Sequence, residues 1–184
     1  MFLFKGDRNY IQSSDIFNFI DKNYTYKHLD IRFHKFLKSQ PKIRLVKKLK
    51  INHKANIIAK IRLKNTEKFL IFYETNVDIN NNYSNDESFI SKFVRFNNHS
   101  IKCKLKTTIS FMDIIVLMTK LWHLRKIDKK KKWIVVRIIL NKKIIQAINK
   151  NLFIKVVKVL NNKNTESEIF INNKHYGKIY YSGI

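Results

Sequence analysis

The stretch that decides the fold runs from residue 110 to residue 160: SFMDIIVLMTKLWHLRKIDKKKKWIVVRIILNKKIIQAINKNLFIKVVKVL. Ser110 stands where a helix N-cap belongs. Behind it Phe111, Ile114, Ile115, Leu117, Met118, Leu121 and Leu124 recur at helical spacing and make one broad apolar stripe. Asp113 is placed to close a capping box and favours the positive end of the helix dipole, while Arg125 and Lys126 suit the negative end. The run Lys129-Lys130-Lys131-Lys132 separates this helix from a strand over 133–139. Asn141 then reads as the cap of a second helix with Ile144, Ile145 and Ile148 inward, followed by a strand over 153–160.

Working outward, residues 161–167 read as a polar turn, and two short strands cover 169–171 and 178–181. The predicted order from residue 110 onward is α-β-α-β-β. Upstream, Lys102, Lys104 and Lys106 alternate with Ile101, Cys103 and Leu105, the period of a strand. Residues 76–88 are polar and low in complexity, the best loop in the chain. Residues 41–72 hold ten Lys or Arg and one acid. Ile57, Ala59, Ile61 and Leu63 alternate there with Lys60, Arg62 and Lys64, and the turn Asn65-Thr66-Glu67 leads into an apolar run, together a β-hairpin with one cationic face. Ser13-Ser14-Asp15 can cap a short helix. The expected organisation is a mostly β, basic extension over 1–109 and an α+β domain over 110–184.

Composition bounds the function. The 184 residues carry 38 Lys and Arg against 13 Asp and Glu, a formal net charge of +25. No core requires such an excess, and its self-repulsion opposes compaction, so a polyanion is the simplest compensating partner. Three Gly and one Pro leave no glycine-rich phosphate loop, and one Cys excludes a disulfide scaffold or a multi-cysteine zinc site. The six histidines include no pair at i, i+4, and the acids form no obvious catalytic pair, so no catalysis, metal or cofactor is expected. Wealth in Lys, Asn, Ile, Phe and Tyr is what an AT-biased genome writes, which points to an organelle genome or a reduced endosymbiont. No targeting segment and no apolar run long enough to span a bilayer stand out, so a soluble product is expected.

Phosphate binding needs cations on a firm scaffold. The candidates are Lys120, Arg125, Lys126, Lys129, Lys130, Lys131, Lys132, Lys142 and Lys143, together with Lys47, Lys48, Lys50, Lys54, Lys60, Arg62 and Lys64 in the basic band. Trp122, Trp133, Tyr180 and Tyr181 are candidates for stacking on exposed bases.

Residues from about 112 to 184 resemble the N-terminal half of the small-subunit ribosomal protein S-eight family. Met118-Thr119-Lys120-Leu121-Trp122-His123 lies where the family has L-T-R-I-R-N, Lys131 and Lys132 precede the strand, Leu152-Phe153-Ile154 matches G-F-I, and Gly177-Lys178-Ile179-Tyr180-Tyr181-Ser182-Gly183-Ile184 follows the family's G-K-x-x-I-S-G-I. Trp122-His123 replace Arg-Asn, Ile139 replaces proline, and the family's second domain has no counterpart in the chain. The resemblance implies a structural constituent of a mitochondrial-type small ribosomal subunit, organelle-encoded and working in the matrix. Its partners would be the central domain of small-subunit ribosomal RNA, neighbouring ribosomal proteins and a separate chain carrying the missing half. The alternatives are an RNA-processing or maturase-like factor and a basic peripheral subunit of an organellar membrane complex.

Overall fold

The computed structural model describes residues 1–49, 55–63, 65–83 and 88–184. The chain clusters into two compact units, Met1–Asn85 and Asp86–Ile184.

In the first unit, β1 (Phe4–Lys5) pairs in parallel with β6 (Asn82–Tyr83). Helix α1 (Ser13–Asn23) buries Ile16, Phe17 and Ile20, spaced as one helical face. Strands β2 (His28–Phe33), β3 (Pro41–Val46), β4 (Ile57–Leu63) and β5 (Thr66–Glu74) form an antiparallel sheet in the order β3-β5-β4-β2. Ile57, Ala59 and Ile61 point into the core and Leu63 is exposed at the hairpin end. Asn56 ties this unit together. Its side-chain amide donates to the Phe36 carbonyl and its side-chain carbonyl accepts from the Glu74 amide.

The second unit begins with a 3-10 turn (Ser88–Phe93), followed by β7 (Val94–Asn97), β8 (Ser100–Lys106), α2 (Phe111–Lys126), β9 (Trp133–Leu140), β10 (Asn149–Leu160), β11 (Asn164–Ile171) and β12 (Lys174–Gly183). The six strands are antiparallel in the order β9-β12-β11-β10-β8-β7. The Ser110 Oγ accepts from the Asp113 amide at 3.1 Å and donates to the Asp113 carboxylate at 2.6 Å, so the cap read from the sequence forms. The helix packs on β8, β9 and β10. Its burial is wider than one stripe, because Met112, Thr119, Trp122 and His123 are buried as well.

Turn chemistry sets the registers. Asn172 and Asn173 both have positive φ between Ile171 and Lys174, the two-residue turn that matches strand twist. Gly177 sits beside a bulge in β12 at φ +152, where a Cβ would lie 1.9 Å from the Ile139 carbonyl oxygen.

The expected α-β-α-β-β domain does not form. The second helix is absent: residues 141–148 are irregular, and Ile145 and Ile148 are 80% and 54% exposed. The physical reason is length. Strand β10 starts at Asn149, so fewer than eight residues remain after the Asn141 cap, too few for a helix without a face to bury. Strands β7 and β8, assigned by sequence to the extension, belong to the same sheet as β9–β12. The second unit is therefore one antiparallel sheet with one long helix.

Candidate binding face

Alternation along the strands gives the six-stranded sheet two chemically distinct faces. Ile101, Cys103, Leu105, Leu152, Ile154, Ile169, Ile171 and Ile179 point inward and are buried. Outward, the register lines up one row across five strands: Arg95 opposite Lys102, Lys102 opposite Phe153, Phe153 opposite Phe170, and Phe170 opposite His175. The Lys102 ammonium lies 5.1 Å from the Phe153 ring centroid, Phe153 and Phe170 are 5.4 Å apart, and Phe170 and His175 are 5.3 Å apart. The Lys102–Phe153 contact, a cation over a ring, is worth about 0.5–1 kcal/mol at an exposed site. Lys104, Lys106, Lys155 and Lys158 are exposed on the same face.

Charge on this face is uneven. The β7–β8–β10 side carries cations with no carboxylate among its outward residues. The β11–β12 side carries Glu166 and Glu168, and Glu166 takes the Lys178 ammonium at 2.6 Å. That hydrogen bond, helped by the nearby negative charge, holds the Lys178 pKa above its ordinary value.

The inward face carries the one polar cluster with acid–base potential. His123 is fully buried, with Nε2 2.6 Å from the Thr165 hydroxyl and its ring stacked on Trp133 at 4.2 Å. The Tyr181 hydroxyl donates to the Val116 carbonyl at 3.0 Å. Burial lowers the His123 pKa to about 3, so the ring is neutral at pH 7. No carboxylate orients Nδ1, which has no partner among the described residues. Thr165 is only 4% exposed and His123 has no exposed surface. Cys103 is equally withdrawn, because burial pushes its pKa up to about 12. Among the described residues no three His, Cys, Asp or Glu side chains stand close enough to hold a metal ion, and no helix is long and apolar enough to cross a membrane.

The cations singled out by sequence are scattered. Arg125 and Lys126 are exposed at the end of α2, with the Arg125 guanidinium 4.5 Å from the Phe96 ring centroid. Lys120 is half-buried. Lys129, Lys130 and Lys132 are exposed, whereas Lys131 donates to the Asn162 carbonyl at 2.8 Å. Lys142 lies 4.3 Å from the Tyr176 ring centroid, and Lys143 is half-buried. Lys47 and Lys48 are exposed after β3. Lys60 and Arg62 both clamp Glu67, at 2.8 and 2.6 Å, and their hydrogen bonds hold its pKa below the usual carboxylate range. Lys50, Lys54 and Lys64 lie outside the described residues. Three of the four stacking candidates are internal: Trp122, Trp133 and Tyr181 are at most 5% exposed, which removes them as a platform for bases. The row through Phe153 and Phe170 was not singled out by sequence, although the Lys102-Lys104-Lys106 alternation signals half of it.

No family model matches the chain, and no curated protein matches it in sequence. Two solved structures are similar in outline. One is a candidate thioesterase II from Thermobifida fusca YX, with a TM-score of 0.48, 6% identity, and coverage of 97% of this chain and 88% of that one. The other is the dehydratase domain from the CurJ module of curacin polyketide synthase, with a TM-score of 0.41, 6% identity, and coverage of 92% and 79%. Both TM-scores are below 0.5, and no activity is transferred from either. The second unit's own architecture is one long helix packed on an antiparallel sheet.

The S-eight resemblance is therefore corrected. The second helix that it requires is absent, and β7 and β8 enter the sheet that it would exclude. With it fall the ribosomal function, the ribosomal RNA and protein partners, the companion chain, and the RNA-processing and membrane-complex alternatives. The matching residues are reinterpreted by their positions. Trp122 and His123 serve the core, and Gly177 serves a bulge. A lysine-rich helix–strand–hairpin sequence satisfies degenerate motifs without the fold they came from.

Proposed function

We propose that this chain is a non-catalytic binding protein whose outward sheet face in the second unit docks an acidic, aromatic-bearing segment of a partner protein. The observation that carries this reading is the Arg95–Lys102–Phe153–Phe170–His175 row, with cations gathered on one side of two half-buried phenylalanine rings. A polypeptide can place carboxylates against Lys102, Lys104 and Lys155 and its own rings against Phe153 and Phe170. A phosphate polymer carries a charge at every residue, so crossing the face would bring it over Glu166 and Glu168. The absence of catalysis in this reading rests on the buried His123–Thr165 pair, whose imidazole no carboxylate orients, and on the withdrawn Cys103 thiol. The mitochondrial matrix, expected from the compositional bias, is kept as the compartment, and fractionation of a tagged chain checks it.

The test is fluorescence anisotropy with a labelled peptide of alternating Glu and Phe, against single-stranded oligonucleotides of RNA and DNA of equal charge. Saturable, salt-sensitive peptide binding that drops about tenfold in a Lys102→Glu, Lys104→Glu double variant supports the reading, since two charge-assisted contacts are worth at least that. Tighter binding of an oligonucleotide, or peptide binding unmoved by the variant, overturns it.

A further inference from the structure

A different feature of the same sheet carries a separate inference, which stands without the docking surface. Strand β10 has a bulge at Val157 and strand β9 has one at Val136. Both fall beside a single row, Lys158 opposite Glu166, Glu166 opposite Tyr180, and Tyr180 opposite Arg137. Each flanking strand thus gains one residue against the central pair β11–β12, and a bulge bends its strand and tightens local twist. The result is a half-open cleft of about 280 Å³ at the end of the sheet.

The lining is specific in chemistry. Val136, Leu160 and the Tyr180 ring supply apolar walls, and Asn164 supplies an amide. Leu160 is 47% exposed, a cost that is relieved when an apolar group covers it. Lys158 stands in the lining and takes no ion pair among the described residues. Glu166, its cross-strand neighbour and itself part of the lining, has its charge already offset by the Lys178 ammonium at 2.6 Å. The free charge of the cleft is therefore one ammonium. The Thr165 hydroxyl at the inner end is bonded to His123 at 2.6 Å, and the residue is 4% exposed.

We propose that this cleft binds a small organic monocarboxylate with a short aliphatic or aromatic body, its carboxylate on Lys158 and its body against Val136, Leu160 and Tyr180. The volume lies just under the range of about 300–1,000 Å³ that suits drug-sized ligands, which favours a small one.

The experiment titrates 4-phenylbutyrate into the isotope-labelled full chain and follows amide shifts. Saturable shifts centred on residues 136, 158, 160 and 180 are expected. The neutral amide of the same acid should bind about tenfold more weakly, as should the acid to Lys158→Gln, because one charge-assisted hydrogen bond is lost. Val136→Trp, which fills the cleft, should abolish binding, while Lys22→Gln on helix α1 of the first unit should leave it unchanged. Equal binding of acid and amide, equal binding by Lys158→Gln, or shifts that never saturate would each overturn the proposal. Lys158→Gln is an exposed change, so it remains informative even where the filling variant fails to fold.

Discussion

The Lys102 ammonium sits 5.1 Å above the Phe153 ring, across the β8–β10 pair in which the two residues are register partners. This one contact explains why a half-buried phenylalanine is tolerated in the middle of a cationic face. The ring's negative face offsets the ammonium, and the lysine stem covers part of the ring. Phe153→Ala should therefore cost little stability, within about 1 kcal/mol in urea unfolding, yet weaken acidic-peptide binding several-fold. Loss of stability well beyond that value would mean that Phe153 is core rather than surface.

His123 makes stability fall in acid. Its folded pKa of about 3 lies below the unfolded value of 6.5, so the unfolded chain binds the extra proton between those limits. The contribution is complete above pH 6.5 and is lost as pH falls toward 3, at up to about 1.4 kcal/mol per pH unit. Urea midpoints measured from pH 7 to pH 4.5 check this, with His123→Phe as the comparison. The variant should show a shallower acid slope, and an unchanged slope would remove His123 as the cause.

Gly177→Ala should destabilise the second unit by about 2 kcal/mol or more. A Cβ there would sit 1.9 Å from the Ile139 carbonyl oxygen, on the backbone of a paired strand that cannot retreat without breaking the β9–β12 ladder. Thermal unfolding measures it, and a variant as stable as the parent would contradict the bulge geometry.

Ser110→Ala should cost about 1 kcal/mol, since the hydroxyl satisfies the Asp113 amide and holds its carboxylate. Ser110→Thr, which keeps a hydroxyl that can both accept and donate, should recover part of the loss. Denaturant unfolding distinguishes the two, and equal stability of Ser110→Ala and parent would mean that the cap is idle.

Cys103 should resist thiol reagents in the native chain at pH 8 and react fully on unfolding. It is 2% exposed and its pKa stands near 12, so both access and thiolate are lacking. Rapid native-state labelling would show an open route to the inward face.

These measurements also separate what the residues announced from what they did not. The helix from Ser110 was legible because cap, apolar spacing and terminal charges agree at three levels. The strand over 101–106 was legible from its strict alternation. The second helix was misread because Ile144, Ile145 and Ile148 fit helical spacing over a segment shorter than two turns, where β-branched residues serve a strand or loop equally well. Strand order was hidden, since nothing local tells β8 to pair with β10 across an intervening helix. The cationic row was hidden for the same reason: Arg95, Phe153 and His175 are far apart in sequence and meet only through register. The burial of His123 was hidden too, because it follows from the stack on Trp133 and the bond to Thr165, contacts made only in the folded chain.

The most direct measurement is an amide-shift map of the full chain titrated with the Glu–Phe peptide at two salt concentrations. The expected footprint covers Arg95, Lys102, Lys104, Phe153, Phe170 and His175, and it fades at high salt as surface charge is screened. A footprint confined to residues 125–132, or none while an oligonucleotide of equal charge binds, would contradict the sheet face as the docking surface.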